Sequence, residues 1–223
     1  MTMFKDVNRV IFDLDNTIFK HDAESEFKII CEKLKLPYNE IVVAQLCDFF
    51  NKNERYIKGK RVTKSYMGYV AEELIPMLKI KRIRGVEFIE VLNGIDTTSL
   101  MEGSIEVLEY LSEKGYMIIA LSNWFLDHQY MVMKKLNISD YFERVYTWDD
   151  FYAKPDKRSL QRIINNNDEK EYVLIGDNLT NDILFAKSNG IKSIWFNSFK
   201  SDEMLEFNGA VEINSLNQIM GIL

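Results

Sequence analysis

Histidine, cysteine and proline are scarce in this chain of 223 residues, with two His, two Cys and three Pro. His21 and His128 are too few for a His-rich zinc site. Cys31 and Cys47 form no C-x-x-C pair and sit in apolar helical surroundings. They are expected to be buried free thiols in a reducing, cytoplasmic compartment. Three Pro and ten Gly exclude a collagen, a low-complexity linker or a disordered tail. Long hydrophobic runs are missing too. The longest uncharged stretch, Gly115–Leu126, has 12 residues, against about 20 for a membrane span. Lys and Arg never run beyond two in succession and the net charge is −6, which argues against a nucleic-acid partner. Met1–Asp6 contains no apolar signal core, so the chain is expected to be mature from its first residues.

What remains is an ordinary folded composition, 47% apolar and 28% charged, and it has two textures. Val7–Phe12 is an apolar strand that stops at an acidic turn. Beyond it, four segments read as helices: Ala23–Leu36, Asn39–Lys52, Thr63–Leu78 and Arg84–Leu92. From Gly103 the pattern alternates. Helices are predicted at Gly103–Lys114, Asp127–Leu136, Asp156–Asn165 and Asn181–Asn189. Strands are predicted at Tyr116–Leu121, Arg144–Thr147, Tyr172–Ile175, Ser193–Phe196 and Val211–Ile213, before a last helix. Short strands that are apolar throughout are buried on both faces, hence parallel. The fold class is therefore α/β, a doubly wound parallel (Rossmann-like) sheet with an inserted all-helical cap domain. Residues 1–16 and 98–223 form the core and 17–97 the cap. Two connections join them, Asn16–Asp22 and Asn93–Leu100, and the second, with Gly94 and a polar run, reads as a hinge with little to pack.

Ligands of open α/β sheets bind beyond the carboxyl ends of the strands. At three such ends stand Asp13, Ser122 and Asp177. Asp13 and Asp15 leave the first strand two residues apart and can point the same way, which is costly unless a cation relieves the repulsion. Asp177 and Asp182 add two more carboxylates, with Lys154 as the cation placed nearby. This excess of hard oxygen ligands calls for a divalent metal and favours Mg²⁺.

Asp13-Leu-Asp-Asn-Thr17, Ser122-Asn123, Lys154-Pro155 and Gly176-Asp-Asn-Leu-Thr-Asn-Asp182 resemble, in this order, the four motifs of the haloacid dehalogenase-like superfamily. A helical insertion directly after the first motif is similar to that family's C1 cap. The resemblance implies that Asp13 is a nucleophile forming an aspartyl-phosphate and that Asp15 is the general acid and base. It implies Mg²⁺ on the Asp13 carboxylate, the Asp15 backbone carbonyl and the Asp177 carboxylate. Lys154 would be the second positive charge, and Ser122 with the Asn123 amide would hold a phosphoryl oxygen at a helix start. Asp182 would orient Lys154 or a metal-bound water. Asn16 stands where the family more often has Gly.

The expected function is a Mg²⁺-dependent phosphatase acting on a small phosphorylated metabolite, as a cytoplasmic monomer. A dehalogenase of this family would lack the second aspartate. A phosphomutase would keep it and stays open, as does a non-enzymatic phospho-acceptor. His21 is read as a solvated linker histidine, the basic turn Lys58-Gly-Lys-Arg61 as a solvated loop, and Phe49, Tyr66 and Tyr69 as cap core.

Overall fold

The computed structural model describes residues 3–46, 76, 79, 97–147, 152–165, 167–198 and 210–223. Its main sheet has six strands: β1 (Arg9–Phe12), β4 (Met117–Ser122), β5 (Arg144–Thr147), β6 (Tyr172–Gly176), β7 (Lys192–Phe196) and β8 (Ala210–Ile213). Their order is β5-β4-β1-β6-β7-β8, and every pairing is parallel. The chain builds outward from β1 through β4 to β5, then crosses back to continue on the other side from β6. The end of β1 is thus the point where the winding reverses, the usual place for a ligand crevice.

The strands are buried because both of their faces are apolar. In β1, Val10 and Phe12 point to one side and Ile11 to the other; in β6, Val173 and Ile175 oppose Leu174. The first side is closed by α2 (Ser104–Glu113), α3 (Leu126–Lys135) and the C-terminal turns at Leu216–Gly221, through Val107, Leu108, Leu111, Val132, Met133, Leu216 and Ile219. The second is closed by α4 (Lys157–Ile164) and α5 (Phe185–Ser188), through Leu160, Ile163, Ile164, Phe185 and Ala186. Two covered faces are what all-apolar strands require.

The predicted hinge behaves differently from expectation. β2 (Phe19–His21) and β3 (Thr98–Leu100) pair as a small antiparallel ribbon. Thr17, Ile18 and Phe19 are fully buried, and the Ile18 carbonyl accepts from Ser104 Oγ at 2.7 Å and Met101 N at 2.9 Å. Apolar side chains in the first connection drive it into the core, so it is packed chain. Asn16 has φ 62°, in the left-handed region that Gly and Asn tolerate best. That is the physical reason Asn can stand where Gly is commoner.

The first inserted helix, α1 (Ala23–Leu34), is capped by Asp22, whose carboxylate accepts from Ser25 N. Residues 40–46 are helical, with Asn39 Oδ1 accepting from Val42 N at 3.0 Å. Cys31 is a buried free thiol. The remainder of Asn39–Lys52, Thr63–Leu78 apart from Pro76, Arg84–Leu92, Cys47, Phe49, the Lys58–Arg61 turn, Tyr66 and Tyr69 lie outside the described residues. No helix among the described residues is long and apolar enough to cross a membrane.

Candidate active site

Asp13, Asp15, Ser122, Lys154, Asp177 and Asp182 come together beyond the ends of β1, β4 and β6. Asp13 is the first residue past β1, and its N–H donates to Ile175 O at 2.9 Å, which extends the strand register by one step. Its carboxylate is buried. Lys154 Nζ, also buried, donates to Asp13 Oδ1 and to Asp182 Oδ1, each at 2.6 Å. Asp182 Oδ2 accepts from Asn178 N at 3.0 Å. Both oxygens of Asp182 are therefore engaged, and its place is to hold Lys154 and the turn after β6.

That turn is wide. Residues Leu179–Leu184 form a π-type coil before α5, so the helix predicted at Asn181–Asn189 begins earlier and in a different geometry. Asn178 opens it, its side chain accepting from Thr180 N and Asn181 N. Such wide turns favour functional positions because they re-aim a side chain inward. The inward residue is Asp182, whose carboxylate packs over Gly176 so closely that any Cβ there would collide with it. Trp195 Nε1 donates to Asp177 O at 2.9 Å and fixes the adjoining backbone.

Ser122 is the last residue of β4, buried beside Asp15. α3 begins only at Leu126, so Ser122 and Asn123 precede the helix by a short loop instead of forming its first turn. Asn123 has a further task. Its Oδ1 accepts from Lys154 N at 2.7 Å and its Nδ2 donates to Lys154 O at 2.9 Å.

Around Asp15 the structure adds two residues. His21 Nε2 lies 3.1 Å from Asp15 Oδ1, and His21 Nδ1 lies 3.0 Å from Thr98 Oγ1. The expectation of a solvated linker histidine is thus corrected: the β2–β3 ribbon turns His21 onto the acid. Gln129 Nε2 donates to Asp15 Oδ2 at 2.7 Å and to Ser122 Oγ at 2.8 Å. Sequence reasoning passed over Gln129, although a signal existed. It lies four residues after Phe125 and three and four before Val132 and Met133, all buried, so it is a polar residue on the core face of a helix.

Charge is unevenly relieved. Burial above all pushes the Asp13 carboxyl well above the usual carboxylate range; Lys154 pulls it back, and Asp182, Asp177 and Asp15 push it up again. Burial, then Asp182, raises Asp177 to about 7. Burial also opposes ionisation of Asp15, but the His21 hydrogen bond and charge, the charge of His128 and the Gln129 hydrogen bond outweigh it and hold its pKa down. His21 is raised, with the bond and charge of Asp15 overcoming burial. Burial depresses His128 to about 4. Lys154 is raised, as Asp13 and Asp182 overcome the cost of burying an ammonium.

Oxygens of Asp13, Asp177 and Asp182 lie within 4.8 Å of one another. Asp182 is held by Lys154 and Asn178 at short range, whereas Asp13 Oδ2 has a long contact from Thr17 Oγ1 at 3.4 Å, so Asp13 and Asp177 are the carboxylates better placed to face a cation. Burial first, and neighbouring carboxylates after it, make their ionised forms costly, a cost that a hard divalent ion would relieve. The donor set fits such an ion.

Fold and site together define a doubly wound α/β protein with an acidic, lysine-bearing centre at its switch point. Residues 7–190 match the haloacid dehalogenase-like hydrolase family, and the chain belongs to it. It is 32% identical over 97 residues to glyceraldehyde 3-phosphate phosphatase of Pyrococcus abyssi, a match covering 42% of this chain and 41% of the relative. It is 24% identical over 127 residues to pyrimidine 5'-nucleotidase PynA of Streptococcus pneumoniae, covering 55% and 54%. The chain thus spans about half the length of the curated relatives it matches. The HAD-hydrolase YfnB from Bacillus subtilis, solved bound to magnesium, is similar with a TM-score of 0.74 at 19% identity, over 97% of this chain and 98% of that one. At that identity the likeness is one of fold.

Proposed function

We propose that this protein is a Mg²⁺-dependent phosphatase of a small phosphate monoester, acting through an aspartyl-phosphate on Asp13. The observation that carries the reading is the pairing of two acids at the end of β1 in opposite electrostatic settings. Asp13 is bound to Lys154 at 2.6 Å, and Asp15 is bound to His21 and Gln129. Lys154 gives Asp13 a positive charge that a phosphoryl oxygen can share, while His21 and Gln129 orient Asp15 beside Ser122 as a separate proton carrier. A dehalogenase of this family would have no use for the second acid. That curated relatives are named a phosphatase and a nucleotidase supports the same class.

In the first step an Asp13 oxygen attacks phosphorus in line, the bond from phosphorus to the ester oxygen breaks, and Asp15 gives its proton to the departing alkoxide. Asp15 is held ionised in the free protein; a bound phosphate adds negative charge beside it and favours the protonated form the step needs. In the second step water attacks the phosphoryl group and yields its proton to Asp15, releasing phosphate and restoring the Asp13 carboxylate. Lys154 and Ser122 neutralise and orient the phosphoryl oxygens, with the Asn123 amide beside them. Mg²⁺, held by the carboxylates of Asp13 and Asp177 and the backbone carbonyl of Asp15, would supply the charge that lets an anionic nucleophile approach an anionic phosphate. The helical insertion we assign as a cap that selects the substrate.

The test is phosphate release from a panel of nucleotide, sugar and triose phosphates, with Mg²⁺ or with EDTA, for wild type and Asp13→Asn. We expect release that needs Mg²⁺ and falls by several orders of magnitude in the variant, on the order of losing a covalent catalyst. Near-normal turnover by Asp13→Asn, or by metal-stripped protein, would overturn the reading.

A further inference from the structure

We propose that Gln129 is a positioning residue that ties the proton-transferring acid to the phosphoryl-binding hydroxyl, holding Asp15 and Ser122 in fixed register. The inference rests on the phosphatase reading and extends it to a residue on α3.

Gln129 is fully buried. Its amide nitrogen has two hydrogens, and two acceptors stand at bonding distance: Asp15 Oδ2 at 2.7 Å and Ser122 Oγ at 2.8 Å. The other end of the amide is unmatched, since Oε1 is buried with no hydrogen-bond partner among the described residues. Turning the amide over would set Oε1 against the Asp15 carboxylate, so the orientation follows from electrostatics. A buried acceptor left unmatched weakens a fold, and an apolar side chain of the same length would avoid that cost. What the amide brings to this position is its pair of N–H groups.

Each N–H has a consequence. The bond to Asp15 Oδ2, opposite the His21 contact at Oδ1, fixes the carboxylate plane from both ends. Proton transfer is steep in distance and angle, so a freely turning carboxylate would spend little time in line with the leaving oxygen. The bond to Ser122 Oγ occupies a lone pair and leaves the hydroxyl proton to donate. In this structure it reaches Asp15 Oδ2 at 3.3 Å, and with substrate present it is available to a phosphoryl oxygen.

The experiment compares wild type, Gln129→Met, Asp15→Asn and the double variant with Mg²⁺ present, using p-nitrophenyl phosphate and an alkyl phosphate. The first has a leaving group that needs no proton; the second does. The quantity read is kcat/KM, which covers the steps up to departure of the leaving group. We expect Gln129→Met to lose on the order of tenfold more on the alkyl ester than on the nitrophenyl ester. In the Asp15→Asn background the alkyl-specific part of the loss should vanish, leaving a smaller loss shared by the two esters that reflects Ser122. Equal losses on the two esters in the wild-type background, or a loss on the alkyl ester that is undiminished in the Asp15→Asn background, would show that Gln129 does not position Asp15 and overturn the inference while leaving the phosphatase reading intact. Should Gln129→Met fail to fold, Gln129→Asn keeps a polar amide but withdraws it by one methylene, and the same contrast is expected. A wild-type chain inert towards both esters would overturn the phosphatase reading, and this inference with it.

Discussion

Asn123 brackets the backbone of Lys154, accepting from its N–H at 2.7 Å and donating to its carbonyl at 2.9 Å. The two residues belong to different loops, one after β4 and one before α4. The side chain of Asn123 is thus the link that sets where the Lys154 ammonium meets Asp13. Removing it breaks two hydrogen bonds without touching the charges.

Asn123→Ala is expected to cost about 1–3 kcal/mol of stability, from two lost bonds and a partly buried amide and carbonyl left unmatched. It should lower kcat/KM on alkyl and nitrophenyl esters alike, because Lys154 acts on phosphoryl charge and not on the leaving group. Denaturant unfolding and kinetics on the two esters check both parts. A loss confined to the alkyl ester would contradict the assignment of Asn123 to Lys154.

Gly176 and Asp182 give a second expectation. A methyl group at residue 176 would displace the Asp182 carboxylate, and with it a bond to Lys154 and one to Asn178 N. Gly176→Ala should therefore destabilise the fold by about 1–3 kcal/mol, the cost of overpacking a buried site. It should also cut turnover strongly. Gly221→Ala, where a Cβ meets nothing within 4 Å, should stay within about 0.5 kcal/mol of wild type. Thermal melts of the two variants side by side measure the contrast.

The sequence was readable where burial leaves a periodic or continuous trace. Strands covered on both faces must be apolar throughout, so β1, β4 and β6 stood out, and with them the polar residues that follow: Asp13, Ser122 and Asp177. Local chemistry added Lys154 and Asp182. What stayed hidden has physical reasons. The ribbon of Phe19–His21 and Thr98–Leu100 is three residues on each side, too short for any period, and its partners are far apart in the chain. The contact between His21 and Asp15 depends on that pairing. Gln129 meets Asp15 only because the phase of α3, set by Phe125, Val132 and Met133, turns it inward. The wide turn at Leu179–Leu184 follows from the demand that Asp182 reach Lys154, a tertiary requirement that helix propensity does not record.

His128 gives a pH expectation. Burial depresses it to about 4, below the ordinary value near 6.5, so the fold favours its neutral form. The unfolded chain binds a proton that the folded chain refuses between those two values, and stability falls as pH drops through that window. The contribution is fully present above about pH 6.5, and its loss amounts to at most about 3 kcal/mol by pH 4. Carboxylates titrate over the lower part of the same range, so the measurement is a difference. Unfolding free energies of wild type and His128→Gln should converge as pH falls from 7 to 4, the variant losing less. Parallel curves would show that His128 does not titrate with folding.

The last expectation concerns the cation and is independent of turnover. Asp13, whose Oδ2 meets a protein donor at long range, Thr17 Oγ1 at 3.4 Å, lies with Asp177 in the acidic cluster, and burial makes their charge expensive. A divalent ion between them would replace that repulsion with attraction in a poorly solvated place. Binding to the folded state alone raises stability by RT ln(1 + [Mg²⁺]/Kd), about 2.7 kcal/mol at a hundredfold excess over Kd. Wild-type protein stripped with EDTA should therefore melt lower, and added Mg²⁺ should restore the melting temperature in proportion to the logarithm of its concentration. Asp177→Asn removes the charge but keeps the shape, and should melt at one temperature whether or not Mg²⁺ is present. Its metal-free form should be no less stable than the metal-free wild type, because an unfavourable buried charge is gone. Asp182→Asn separates this account from a general effect of lost acidity. It leaves Asp13 and Asp177 in place while loosening Lys154, so it should keep a Mg²⁺-dependent shift and still lose activity. A wild-type melt indifferent to Mg²⁺, with binding confirmed absent by calorimetry, would remove the metal from this site.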